Sequence, residues 1–199
     1  MWEHPALIAV IAAVGTVLAA WGAQLIKSWF SARSRKKDAQ SVLEGLERSQ
    51  ASYSILSSMR TETSASRVLL LAGHNGGGYP RPDAPFYTSV LFWSIDDSAQ
   101  ESLKVMPQYK QLPVDADYIK MLLDSEKNGP VIIDVERMPP CQLKRYYQTE
   151  GVKHSLVLFL AIKDRKFLYC SVSKHEEEPF TEVEITSVEL KAETLKKLL

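Results

Sequence analysis

The chain has 199 residues, and its 24 Lys and Arg balance 24 Asp and Glu, so no net charge marks it for nucleic acid. Once Glu3 and the cations Lys27, Arg33, Arg35, Lys36 and Lys37 are set apart, residues 38–199 hold 23 acidic and 19 basic side chains, a mildly acidic body behind a basic collar. Two distant cysteines, Cys141 and Cys170, make no disulfide framework, and His4, His74, His154 and His175 have no HExxH or paired-ligand spacing, so a metal site has no motif behind it.

The first element is residues 6–26, ALIAVIAAVGTVLAAWGAQLI, which carries no charge. At about 1.5 Å of rise per residue, a helix of this length spans roughly 30 Å, the thickness of a bilayer's hydrocarbon core. It reads as a transmembrane anchor rather than a cleaved signal, because no Lys or Arg precedes it and the run outlasts a signal core of about 7 to 15 residues. Cations at 27–37 follow it, so the positive-inside rule puts the C-terminal domain in the cytoplasm and the N-terminus outside, as in a single-pass protein of a plasma or bacterial inner membrane. The same collar, Lys27, Arg33, Arg35, Lys36 and Lys37, is also a candidate for lipid-headgroup contact at about 1 kcal/mol per cation. Ala12, Gly15, Ala19 and Gly22 form a stripe of small residues, a candidate packing face that favours a homo-oligomer.

The domain then occupies residues 38–199, beginning with a helix over 38–61 whose apolar residues Ala39, Val42, Leu46, Tyr53 and Leu56 recur at spacings of mostly three and four. That spacing fits both a coiled-coil seam and a face packed on the domain. RVLLLA at 67–72 reads as a buried strand ending in Gly73-His74-Asn75-Gly76-Gly77-Gly78, and FYTSVLFWSI at 86–95 as its antiparallel partner beyond a Pro-rich loop. The glycine cluster is not a phosphate cradle by context: a Walker loop needs GK[ST] opening a helix, and here prolines and a strand follow. His74 and Asn75, with Gly76, are the polar candidates for a ligand contact on that loop.

Residues 114–127 read as a helix capped by Asp115, with Tyr118, Met121 and Leu122 on its apolar face and Gly129-Pro130 as its stop. VIIDV at 131–135 reads as a strand, 141–148 as a short helix closed by Gly151, and SLVLFLAI (155–162) and KFLYCSVS (166–173) as central strands. The tail from 181 carries two patterns: Val183 and Ile185 alternate like a strand, while Ile185, Val188, Ala192, Leu195 and Leu199 keep helical spacing.

This order of elements, with VIIDVE, then YYQTEGVKHSLVLFLAI, then HEEEPFTEVEI before the tail, resembles the GAF family of sensor domains over about residues 40–199. The resemblance implies an α+β fold: a central antiparallel sheet of five or six strands, helices on one face and a ligand pocket on the other. It implies a pocket in which the His74-Asn75-Gly76 loop overhangs a face carrying Tyr87 and Tyr169, with Phe92 and Tyr146 as further aromatic candidates. The chain departs from the family in lacking the NKFDE motif, a chromophore-attaching cysteine in its expected context and the reductase cysteine set. Asp134, Glu136 and His154 show no triad order or paired-carboxylate spacing, so the expectation is a non-enzyme without a cofactor. Two readings follow. One is a membrane-anchored sensory or small-ligand-binding module acting through a protein partner. The other is a structural or assembly component of a membrane complex or viral envelope, with the domain as an interaction scaffold. An open cavity over the sheet favours the first; a filled face with an apolar surface patch favours the second.

Overall fold

The computed structural model describes residues 40–75, 85–96, 99 and 110–199. The anchor at 6–26 with Ala12, Gly15, Ala19 and Gly22, the collar from Lys27 to Lys37, and Gly76 lie outside the described residues. Among the described residues no helix is long and apolar enough to cross a membrane. The chain divides into two compact units, Met1–Glu47 and Arg48–Leu199, and the core described below belongs to the second.

Helix α1 covers 40–62. Strands β1 (Arg67–His74), β2 (Tyr87–Ile95) and β3 (Leu112–Pro113) follow, then α2 (Ala116–Asn128), β4 (Val131–Asp134), α3 (Gln142–Thr149), β5 (His154–Lys163), β6 (Lys166–Lys174) and α4 (Glu182–Leu198). The strands form one sheet in the order β3-β2-β1-β6-β5-β4, and every neighbouring pair is antiparallel. The β5–β6 hairpin turns on Asp164 and Arg165, both at positive φ (48° and 62°), the conformation whose twist matches a tight two-residue hairpin.

Strand alternation splits the sheet's side chains between two cores. Val68, Leu70, Ala72, Leu156, Cys170 and Val172 pack against Leu56 and Met59 of α1 and Val188, Ala192 and Leu195 of α4. Leu69, Leu71, Val157 and Tyr169 point the other way, against Tyr118 and Leu122 of α2 and Leu143 and Tyr147 of α3. Helices therefore cover both faces, which corrects the expectation of helices on one face and a pocket on the other. The physical reason lies in β1, β5 and β6, which are apolar on both sides and must be buried on both.

The tail is helical throughout Glu182–Leu198. Thr181 and Glu184 form a capping box, Thr181 Oγ1 accepting from the Glu184 amide and the Glu184 carboxylate accepting from the Thr181 amide. Gly73 lies inside β1 rather than in the loop after it. A Cβ there would meet the far end of the Phe86 ring, so a larger residue would require that side chain to shift.

Candidate functional site

The α2/α3 face of the sheet holds a polar network and a groove. Asp115 fixes its two helices. Its Oδ1 accepts from the Tyr118 amide at 2.9 Å, capping α2, and its Oδ2 accepts from the Gln142 amide at 2.9 Å, the first residue of α3. One carboxylate thus satisfies orphan donors at two helix starts, where the helix dipoles also favour negative charge. Cys141 is the N-cap of α3, its Sγ accepting from the Lys144 amide at 3.4 Å. Lys144 Nζ donates to the carbonyls of Glu136 (2.9 Å) and Met138 (2.7 Å), tying the segment after β4 to α3.

Between these pinned elements lies a groove of about 560 Å3. Tyr118, Met121 and Leu123 of α2, Val131 and Ile133 of β4, and Met138, Pro139, Cys141 and Leu143 make its apolar wall, and Asp117, Lys120, Asp124, Lys127 and Asn128 make its polar rim.

Deeper in, between sheet and helices, aromatic side chains fill the space. Tyr169 is fully buried, its hydroxyl bonded to Thr88 Oγ1 at 2.5 Å and to the Tyr118 hydroxyl at 2.8 Å. Tyr147 donates to Ser155 Oγ at 3.0 Å, and burial pushes its phenol up from the ordinary value. At the other end of this face Arg67 pairs with Glu150, both about 1% exposed. Removing either partner of such a pair leaves a buried charge uncompensated.

The residues expected to share one site are spread over the domain. His74 ends β1, with its Nε2 against Ser89 Oγ at 2.8 Å, and burial followed by the charge of Lys166 lowers its pKa. Tyr87 pairs with His74 across the strands and shares its face, the one that α1 and α4 cover, whereas Tyr169 lies on the opposite face. The shared floor of Tyr87 and Tyr169 is therefore not formed. A bulge between Leu70 and Leu71 changes the β2 register, and Phe92 faces α1, edge-on to Tyr53 with centroids 5.1 Å apart. Tyr146 is on α3, where its hydroxyl accepts from Gln142 Nε2. Of the aromatic candidates only Tyr169 belongs to the core behind the groove. Met121, Ile133, Met138, Cys141 and Leu143 were missed; the signal available was the pair of methionines flanking a strand that alternates inward and outward side chains.

His154 and Asp134 are cross-strand partners on β5 and β4, but they and Glu136 are each engaged with a different group. His154 Nε2 meets the Glu177 carbonyl at 2.9 Å, Asp134 pairs with Arg137 at 3.1 Å, and Glu136 lies 3.8 Å from Lys153. Among the described residues no group of three or more His, Cys, Asp or Glu is placed to hold a metal ion.

The all-antiparallel six-stranded sheet, with paired helices on each face, has the arrangement of a GAF-like fold. No family model matches the sequence, and no curated protein matches it either. Solved structures do match. The phycocyanobilin-bound GAF domain of a cyanobacterial phytochrome superposes with a TM-score of 0.55 at 17% identity, over 81% of this chain and 89% of that one. The blue-light-absorbing form of the PixJ GAF domain of Thermosynechococcus elongatus gives 0.52 at 16% identity, over 78% and 88%. The GAF domain/HD domain protein of Geobacter sulfurreducens gives 0.51 at 10% identity, over 72% and 86%. At these identities the likeness is one of fold.

Proposed function

We propose that this chain is a membrane-anchored, non-catalytic GAF-type module that binds an apolar small molecule in the groove between α2, β4 and the 138–141 segment and signals through a partner protein. The observation that carries the reading is the groove itself. Its volume of about 560 Å3 is that of a small-molecule site, its wall is apolar, and charged groups of both signs stand at its rim. Two of the structural neighbours support it by analogy, being a bilin-bound and a light-absorbing GAF domain. The separate partners of His154, Asp134 and Glu136, a backbone carbonyl, Arg137 and Lys153, support the non-catalytic part. Anchoring by residues 6–26 rests on their uncharged length and on the cations that follow.

The test is retention of a ligand by the full chain in lipid nanodiscs, read by native mass spectrometry, absorbance and thermal shift against fatty acids, porphyrins and bilins. Leu123 is 57% exposed and lines the groove, so Leu123→Trp fills it without disturbing the core. A thermal shift in the wild type that Leu123→Trp abolishes, with the unliganded midpoint unchanged, is the expected result. No retained molecule and no shift with any compound class in either protein would sink the ligand-binding reading. The assembly reading then takes its place, and a specific observation favours it: the hydroxyls of Thr88, Tyr169 and Tyr118 close the sheet face with their own hydrogen bonds.

A further inference from the structure

The apolar stripe of α1 changes its surroundings part way along the helix. Leu56 and Met59 are fully buried in the core, whereas Val42, Leu43 and Leu46 are each more than 60% exposed and Tyr53 is 42% exposed. Written as heptads, Leu46 and Tyr53 fall at a, and Val42, Ser49 and Leu56 at d. The charged residues of this stretch, Glu44, Glu47 and Arg48, fall at f, b and c, on the side away from the stripe. Gly45 occupies a g position, and a Cβ built on it meets nothing within 4 Å. A glycine inside a helix weakens that helix, and beside the seam a glycine lets a second helix come close.

We propose that residues 42–53 of α1 pair, parallel and in register, with the same residues of a second copy of this chain. The seam is self-complementary. Like positions meet across it, Leu46 against Leu46 and Val42 against Val42, and no charge faces its own copy because every charged residue of 42–53 lies on the far side. The chain leading into the helix also selects this occupant, since residues 27–39 contain no Pro or Gly to interrupt it and lead back to the apolar run at 6–26. This step rests on the anchor reading: two copies inserted the same way into one bilayer start parallel and at the same height. A seam of fewer than two heptads is marginal for free chains, and confinement to one membrane raises the effective concentration enough to favour it. The cations of the collar oppose the pairing, but salt screens them beyond about 8 Å.

The test uses the full chain in vesicles of mixed zwitterionic and anionic lipid. Leu46→Cys and Glu44→Cys are compared under mild oxidation, with the wild type setting the baseline from the native thiols. Disulfide-linked dimers several-fold above baseline at position 46 and at baseline at position 44 are expected. Val42→Glu with Leu46→Glu should abolish the dimer while leaving the circular dichroism and unfolding midpoint unchanged, because neither side chain belongs to the core clusters. Equal crosslinking at 44 and 46, or none at either, overturns the seam. So does a dimer that survives the double glutamate change and is lost on Gly15→Leu with Ala19→Leu, which moves the contact into 6–26. Flotation of the same vesicles reads the anchor separately: loss of flotation with crosslinking kept at 46 refutes the anchor and leaves the seam standing.

Discussion

Asp115 joins two helices through one side chain, and that gives it a graded behaviour on substitution. An N-cap contributes about 0.5–2 kcal/mol, and here each carboxylate oxygen serves a different helix start. Asp115→Asn keeps one acceptor oxygen and should cost about 1 kcal/mol, while Asp115→Ala loses both and should cost roughly twice that. Urea midpoints of the three proteins check the order; equal midpoints for Ala and Asn would show that one of the two bonds contributes nothing. A second residue-scale prediction separates the cysteines. Cys170 is fully buried and its thiol is pushed up to about 12 by that burial, whereas Cys141 is half-buried on the groove wall. Under native conditions maleimide should modify Cys141 and spare Cys170, and a groove ligand should slow the modification. Labelling of both at equal rates would mean that the core around Cys170 opens readily. Asp115 as the cap of α2 was legible in the sequence. Its second bond to Gln142, 27 positions away, was not, because it depends on where the fold brings α3. Nor was the pairing of Arg67 with Glu150, 83 positions away, because only the fold brings the end of α3 beside the start of β1.

At the scale of elements, the end of α1 is tied to α4 through Glu62. Its carboxylate accepts from Ser187 Oγ at 2.7 Å and from Ser58 Oγ at 2.9 Å, and it pairs with Lys191 Nζ at 2.8 Å. The Lys191 bond, then those from Ser187 and Ser58, hold its pKa at about 2, below the ordinary carboxylate value of 4.5. A carboxyl depressed in the folded state contributes stability that is present above its unfolded pKa and is lost as pH falls through the folded one. The loss should therefore run between about pH 4.5 and pH 2, and Glu62→Gln should flatten the melting-temperature profile across that window alone. A profile with the same slope in both proteins would remove Glu62 from the acid response. The strands at 131–135, 155–162 and 166–173 and the helices at 114–127 and 141–148 were legible, because long apolar runs and clear stop residues admit few alternatives. The tail was ambiguous because Val183 and Ile185 alternate; the Thr181–Glu184 capping box decided it, and Val183 is left 80% exposed. The bulge at Leu70/Leu71 has no mark in the sequence, yet it sets which residues of β2 face α1, and so it separated Tyr87 from Tyr169.

For the whole molecule, every residue of both core clusters, from Ile55 to Leu199, belongs to the unit Arg48–Leu199. Among the described residues both clusters lie within that one unit, so the domain's stability is expected not to depend on the membrane. Deleting residues 1–37 should give a chain that leaves the membrane fraction and unfolds cooperatively at the urea midpoint of the full protein in nanodiscs. The full chain should resist carbonate extraction, and a reporter fused after Leu199 should register on the cytoplasmic side, since the cations all follow the apolar run at 6–26. Each outcome separates one part of the architecture from the others. A shortened chain that fails to fold would show that residues before 38 support the core. Extraction of the full chain by carbonate would refute a spanning helix, and an exterior reporter would reverse the orientation while leaving the fold and the groove as they are.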